Sequence, residues 1–221
     1  MKNISSRFCL IYFFFLGVSV KAQFVNDISG KPVSEIEYTD IQGTAFYSES
    51  WLNGLIKMND GAVYKDVLVK YNLLDEQLIF QNNSGQPMNL VNPFREFTIF
   101  QAGQTAVFKN GFKPNDDHLT TKTFYQILAD GETILAKKTS KKVVENKAFN
   151  SATTSKTFQE TNNYYLIKNG LPVKIKKDKM SVLETYGDWT PELELFIKAN
   201  NLSLKSEVGL IILATYYNTL K

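Results

Sequence analysis

Between Gly54 and about Lys176 the chain is a succession of short runs in which apolar and polar residues alternate, each closed by a turn signal. Side chains along an extended strand point alternately to opposite faces, so such runs read as strands with one buried face. Turns this close together join them as antiparallel neighbours. Leu55-Ile56-Lys57-Met58 meets Ala62-Val63-Tyr64 across Asn59-Asp60-Gly61, where glycine accepts the positive φ of a tight turn. Asp66 to Tyr71 continues with Val67 and Val69 on one face. Leu78-Ile79-Phe80 and Met88 to Val91 flank Asn82-Asn83-Ser84-Gly85, and Phe97 to Phe100 and Ala106-Val107-Phe108 flank Ala102-Gly103-Gln104. Phe124 to Leu128 and Thr133 to Ala136 flank Ala129-Asp130-Gly131; Tyr164 to Ile167 and Leu171 to Ile175 flank Asn169-Gly170. About ten strands result, and their short links predict a meander in a curved or barrel-like sheet. The stretch 143–161 alternates least, and the Ser/Thr-rich 150–156 reads as a loop. Residues 23–43 read as an extended arm or an edge strand, because Pro32 lacks the N–H that a central strand needs.

After Lys177 the period lengthens. Met180, Val182, Leu183 and Tyr186 form a short helical face, ended by Gly187. Thr190 offers an N-cap oxygen, Pro191 sits where a helix does not use its N–H, and Glu192 and Glu194 suit the positive end of the dipole. That helix turns Leu193, Phe196 and Ile197 inward and stops at Asn200-Asn201. A third helix, capped at Ser203, reaches about Leu220; its centre, Val208 to Ala214, is apolar on every side and predicts burial between the other helices and the sheet. The expected class is α+β: an antiparallel β domain over 23–177 with a three-helix segment over 178–221 packed on it.

The first 22 residues read as a secretory signal peptide. Lys2 and Arg7 form a basic head, Phe8 to Val18 is uninterruptedly apolar, and Val20-Lys21-Ala22 places small residues for a cut between Ala22 and Gln23. The apolar run is shorter than the roughly twenty residues a bilayer span requires. Removing 22 of the 221 residues leaves 199, enough for a core that needs no disulfides. The leader takes with it three basic residues, no acidic one, and Cys9, the sole cysteine. The remainder is charge-neutral and thiol-free, which excludes an internal disulfide and a thiolate nucleophile. It also argues against a strongly cationic nucleic-acid binder. A new N-terminal Gln23 is expected to cyclise to pyroglutamate.

No side chain is nominated for catalysis, cofactor binding or metal binding. His118, the only histidine, follows Asp116-Asp117, but metal sites recruit three or four ligands and a solvated loop after Pro114 explains the trio. No Gly-x-Ser-x-Gly turn accompanies it, and the glycines lack the spacing of a nucleotide loop. The acidic pairs Asp75/Glu76 and Glu192/Glu194 sit among turn and helix-start signals. Charge is unevenly placed: residues 130–180 hold eleven lysines against five acids. Lys137, Lys138, Lys141, Lys142, Lys174, Lys176 and Lys177 are therefore the candidate anionic-surface patch, with solvated edges that discourage sheet aggregation as the alternative. The many aromatics read as core and cross-strand packing, with a minority lining a concave face.

The stretch GTAFYSESWLNGLIKMNDGAVYKDVLVKYNLLDEQLIFQ, with its Gly61-x-x-Tyr64-x-x-Val67 hairpin and Lys70-Tyr71-Asn72 step, resembles exported bacterial proteins of unknown function. The closing ELELFIKANNLSLKSEVGLIILATYYNTL is similar to their helical end. The resemblance implies export from a Gram-negative cell, to the periplasm or the cell surface, and supplies no activity. The function expected is a non-catalytic binding or interaction module with an envelope ligand or protein partner and no cofactor. The alternatives are a small enzyme acting on envelope polymers through carboxylates, or an outer-membrane-associated β protein.

Overall fold

The computed structural model describes residues 28–33, 38, 40–114, 119–147 and 154–220. Residues 1–22 with the expected Ala22/Gln23 junction, the Asp116-Asp117-His118 trio and residues 148–153 lie outside them. Twelve strands form one sheet: β1 (Gly30–Pro32), β2 (Ile41–Gln42), β3 (Leu52–Met58), β4 (Val63–Asn72), β5 (Gln77–Gln81), β6 (Pro87–Leu90), β7 (Phe94–Gln101), β8 (Gln104–Lys109), β9 (Tyr125–Ala129), β10 (Thr133–Lys147), β11 (Thr154–Lys168) and β12 (Leu171–Ile175). Three helices complete the chain: α1 (Lys179–Tyr186), α2 (Thr190–Ala199) and α3 (Glu207–Tyr217). All five expected hairpins are present. Residues 143–147 and 154–161, where alternation is weakest, are the outer halves of β10 and β11, paired residue for residue, so 154–156 are strand and not the expected loop. Pairing along a fifteen-residue hairpin overrides the weak local pattern.

The strand order runs β1-β6-β5-β4-β3-β7-β8-β9-β10-β11-β12, with β2 added in parallel to β11. From β3 onward one step departs from a meander, because β7 pairs with β3 and not with β6; before it, β1 pairs with β6 and β2 with β11. In a flat sheet β6 and β7 would stand about 19 Å apart, four strand spacings. Their registers separate them further: Met88 is level with Phe80, Val69 and Leu52, whereas Phe94 is opposite Met58. Leu90 and Phe94 are thereby offset by about eight residue steps along the strands, roughly 26 Å. The link between them, residues 91–93, spans at most about 14 Å. Only a sheet rolled up on tilted, staggered strands lets so short a link connect them. A bulge helps the bend: between Gly54 and Ile56 the β3–β4 register slips by one residue, and Asp66 takes φ 55°. The roll stays open, with edges at β1 and β12.

Inside the roll lie Ile56, Val69, Tyr71, Leu78, Phe80, Phe97, Ile99 and Phe108. Phe97 and Phe108 stack at 4.6 Å, and Tyr71 and Phe124 meet Phe97 edge-on at 4.9 and 5.1 Å. The helices pack beyond this core, against Leu135 of β10, Tyr164 and Leu166 of β11 and Ile175 of β12, through Val182, Leu193, Leu210, Leu213 and Tyr217. Asp178 caps α1 by accepting from Ser181 N at 2.8 Å, and Gly187 ends it in the left-handed region. Met180, expected on the inward face, is 81% exposed. α2 begins after Trp189 at φ 55° with no side-chain cap, so Thr190 is its first residue rather than its cap. Ser206, not Ser203, caps α3, accepting from Gly209 N at 3.0 Å.

Contrary to expectation, α3 is not enclosed. Val208 is 65% exposed, because only one side of the helix meets the sheet. Both ends of α3 are tied to β10. At its C-terminus the Asn218 side chain accepts from Thr133 N at 3.1 Å and donates to Thr133 O at 2.8 Å. At its N-terminus Glu207 holds Lys137 at 2.9 Å.

Gly131 is what admits the Asn218 clamp, since a Cβ there would stand 2.4 Å from Nδ2. Gly131→Ala and Asn218→Ala are each expected to cost about 1–2 kcal/mol, the worth of the displaced hydrogen bonds. Because both remove one clamp, the double variant should fall well short of the sum in urea unfolding.

Candidate functional site

Alternation along β10 sends four of the seven candidate lysines different ways, and the other three lie on or just after β12. Lys137 faces the helices and pairs with Glu207. Lys138 points to the opposite face, is only 4% exposed, and pairs at 2.6 Å with Glu76 in the β4–β5 turn. Lys141 donates to the carbonyls of Thr44 at 3.0 Å and Phe46 at 2.8 Å, and its own N–H bonds Leu73 O. These three are structural ties rather than surface cations. Lys142, Lys174, Lys176 and Lys177 are exposed, with the Lys177 ammonium 5.2 Å above the Tyr164 ring. The structure therefore does not gather the seven into one patch. A count of charge along the sequence carries no information about which face each lysine takes.

Glu207 is the centre of a second titratable cluster, which sequence reasoning missed. Register places Lys137 opposite Tyr164, so both reach the first turn of α3 from one face. There the Glu207 carboxylate accepts from Lys137 Nζ at 2.9 Å and from Tyr164 OH at 2.8 Å. Burial alone would raise the pKa of Glu207; the hydrogen bonds from Lys137 and Tyr164, with the charges of Lys137 and Lys177, outweigh it and lower the value below 4.5. Tyr164 is raised, first by burial and then by its bond to Glu207, and Tyr47 is raised by burial and by the same carboxylate. A carboxyl held ionised is a poor general acid, since that role needs a pKa raised toward the working pH. The cluster ties helix to sheet.

The cavity lies elsewhere, at the mouth of the roll. It has a volume of about 700 Å³ and sits between the β5–β6 rim, the 91–93 link, the start of β7 and the loop after β8. Leu78, Leu90, Phe94 and Phe124 supply apolar wall. Phe94 and Phe124 stack at 4.9 Å. Behind them, Tyr71 is paired across strands with Leu78 and stands 6.4 Å from Phe124. Its hydroxyl is buried with no hydrogen-bond partner among the described residues. Burial first, and the Glu76 charge second, push its pKa well above the ordinary phenol range. Glu76 also lines the cavity, already neutralised by Lys138.

Two cations stand on the lip. Asn110 N donates to Arg95 O, Asn110 Nδ2 donates to Phe94 O, and Gly111 N donates to Thr121 O. These bonds fasten the start of β7 to the segment that carries Lys122. Arg95 and Lys122 both line the cavity, and no carboxylate among the described residues pairs with either. Apart from Arg7, Arg95 is the chain's only arginine, a signal the sequence held.

Among the described residues no group of three or more His, Cys, Asp or Glu side chains stands together to hold a metal ion, and no helix is long and apolar enough to cross a membrane. No protein-family model, curated protein or solved structure matches the chain.

Since the folded protein holds Glu207 below its ordinary value, the unfolded chain takes up this proton first. The contribution of Glu207 is therefore whole above about pH 4.5 and is lost as pH falls through its lowered folded value. Glu207→Gln should lose roughly 1–2 kcal/mol in urea unfolding at neutral pH. The gap to wild type should close in acid; a gap independent of pH would contradict the assignment.

Proposed function

We propose that the mature chain is an exported, non-catalytic binding protein of the bacterial envelope whose ligand enters the cavity at the mouth of the roll. The observation that carries this reading is the cavity itself. Its volume of about 700 Å³ is in the range of small-ligand sites, and Leu78, Leu90, Phe94 and Phe124 give it an apolar wall among polar lining residues. The leader pattern of Met1 to Ala22 supports export, and the resemblance to exported bacterial proteins supports residence in the periplasm or at the cell surface. Charge neutrality beyond the leader weighs against nucleic acid as partner. An open sheet has edge N–H and C=O groups that a bilayer interior would leave unsatisfied, which weighs against an integral outer-membrane barrel. The exposed Lys142, Lys174, Lys176 and Lys177 fit a peripheral contact with an anionic surface, a lesser one than seven lysines together would make.

The test is native mass spectrometry of protein recovered from the periplasm. The polypeptide should begin at Gln23, as pyroglutamate, and carry a non-covalent small-molecule adduct that is absent from Val91→Trp, a substitution at an exposed cavity residue. An intact Met1 would overturn export. An adduct unaffected by Val91→Trp, or none, would overturn the cavity as the binding site.

A further inference from the structure

The lip and wall of the cavity differ in chemistry, and the difference points to a ligand class. The wall formed by Leu78, Leu90, Phe94 and Phe124 suits an apolar body. The lip presents Arg95 and Lys122, while the one carboxylate among the described lining residues, Glu76, is engaged by a lysine that is 4% exposed. Among the described residues the balance left for a ligand is positive. The two cations are held by construction, since backbone bonds from Asn110 to Arg95 and from Gly111 to Thr121 place them on one rim. Gly111 lies beside the guanidinium, and its φ of +88°, which side chains rarely adopt, is what the turn there requires of a glycine.

Resting on the cavity-binding reading above, we infer that the mouth of the roll takes a single-chain amphiphilic anion. Its carboxylate or phosphate head meets Arg95 and Lys122, and its alkyl body lies against Phe94, Phe124, Leu78 and Leu90. The head supplies the counter-charge that Arg95 and Lys122 lack among the described residues, and a charge-assisted pair with a guanidinium is the strong, oriented kind. The apolar body explains why Phe94, only partly buried, sits at an opening with the core residue Phe124 stacked behind it.

Titration calorimetry with decanoate, decyl phosphate and the neutral decanol, on the full mature protein, tests this. At least one of the two anions should bind saturably, and whichever binds more tightly identifies the head group. Decanol should bind about tenfold more weakly than that anion, and Arg95→Ala with Lys122→Ala should reduce anion binding about tenfold while leaving decanol unchanged. Both positions are exposed, so the variants should unfold at the wild-type denaturant midpoint. Amide shifts on titration should map to 89–95, 110–111 and 121–124, the segments that line the cavity. Decanol binding as tightly as the anions, or anion binding unchanged in the double variant, overturns the anion assignment and leaves the cavity reading standing. No binding of any of the three overturns the ligand class, and the adduct measurement with Val91→Trp then decides the cavity reading by itself.

Discussion

Three residues set the architecture. The link at 91–93 joins strand ends that a flat sheet would hold roughly twice as far apart as the link can reach. The sheet must therefore roll, with its strands tilted and staggered, and both the core and the cavity are consequences of that roll. Its inner face fills with stacked aromatics, Phe97 on Phe108 with Tyr71 and Phe124 against them. Where the link closes the circuit without hydrogen-bonding β6 to β7, an opening is left, and the cavity occupies it.

The second organising element is β10. One strand reaches three separate parts of the molecule through successive lysines: Lys137 to the first turn of α3, Lys138 to the β4–β5 turn, and Lys141 to the carbonyls at 44 and 46. Alternation makes this possible, since neighbours on a strand face opposite ways. Lys138 carries the greatest desolvation cost, and its pair with Glu76 offsets it; such pairs contribute more to uniqueness of arrangement than to net stability. The same ties take three cations out of the surface patch that their clustering in sequence suggests.

Hairpins were legible because their signals are local. Asn59-Asp60-Gly61 and Asn169-Gly170 announce turns whose residues adopt positive φ at Gly61, Asn169 and Gly170, and alternation names the buried face of each flanking strand. Helix ends were less legible: Ser203 and Ser206 are equally good caps by type, and only the path of the chain chose between them. The outer halves of β10 and β11 were hidden because their stability comes from pairing with each other over fifteen residues, a non-local term. The cavity was hidden for the same reason, with Leu78, Leu90, Arg95 and Lys122 converging from four separate segments. Among them Arg95 alone carried a compositional hint.

By itself the sequence determined the class of this protein, an antiparallel β sheet followed by three helices, and most of the side chains that fill its core. Alternation, turn residues and helical period are properties of neighbouring residues, readable without knowing what they meet. Tertiary structure alone decided that β7 returns to β3, that Lys138 is buried while Lys142 is exposed, and that a charged lip faces an apolar wall. These are relations between distant segments, settled by chain reach, sheet curvature and the cost of leaving a charge unpaired.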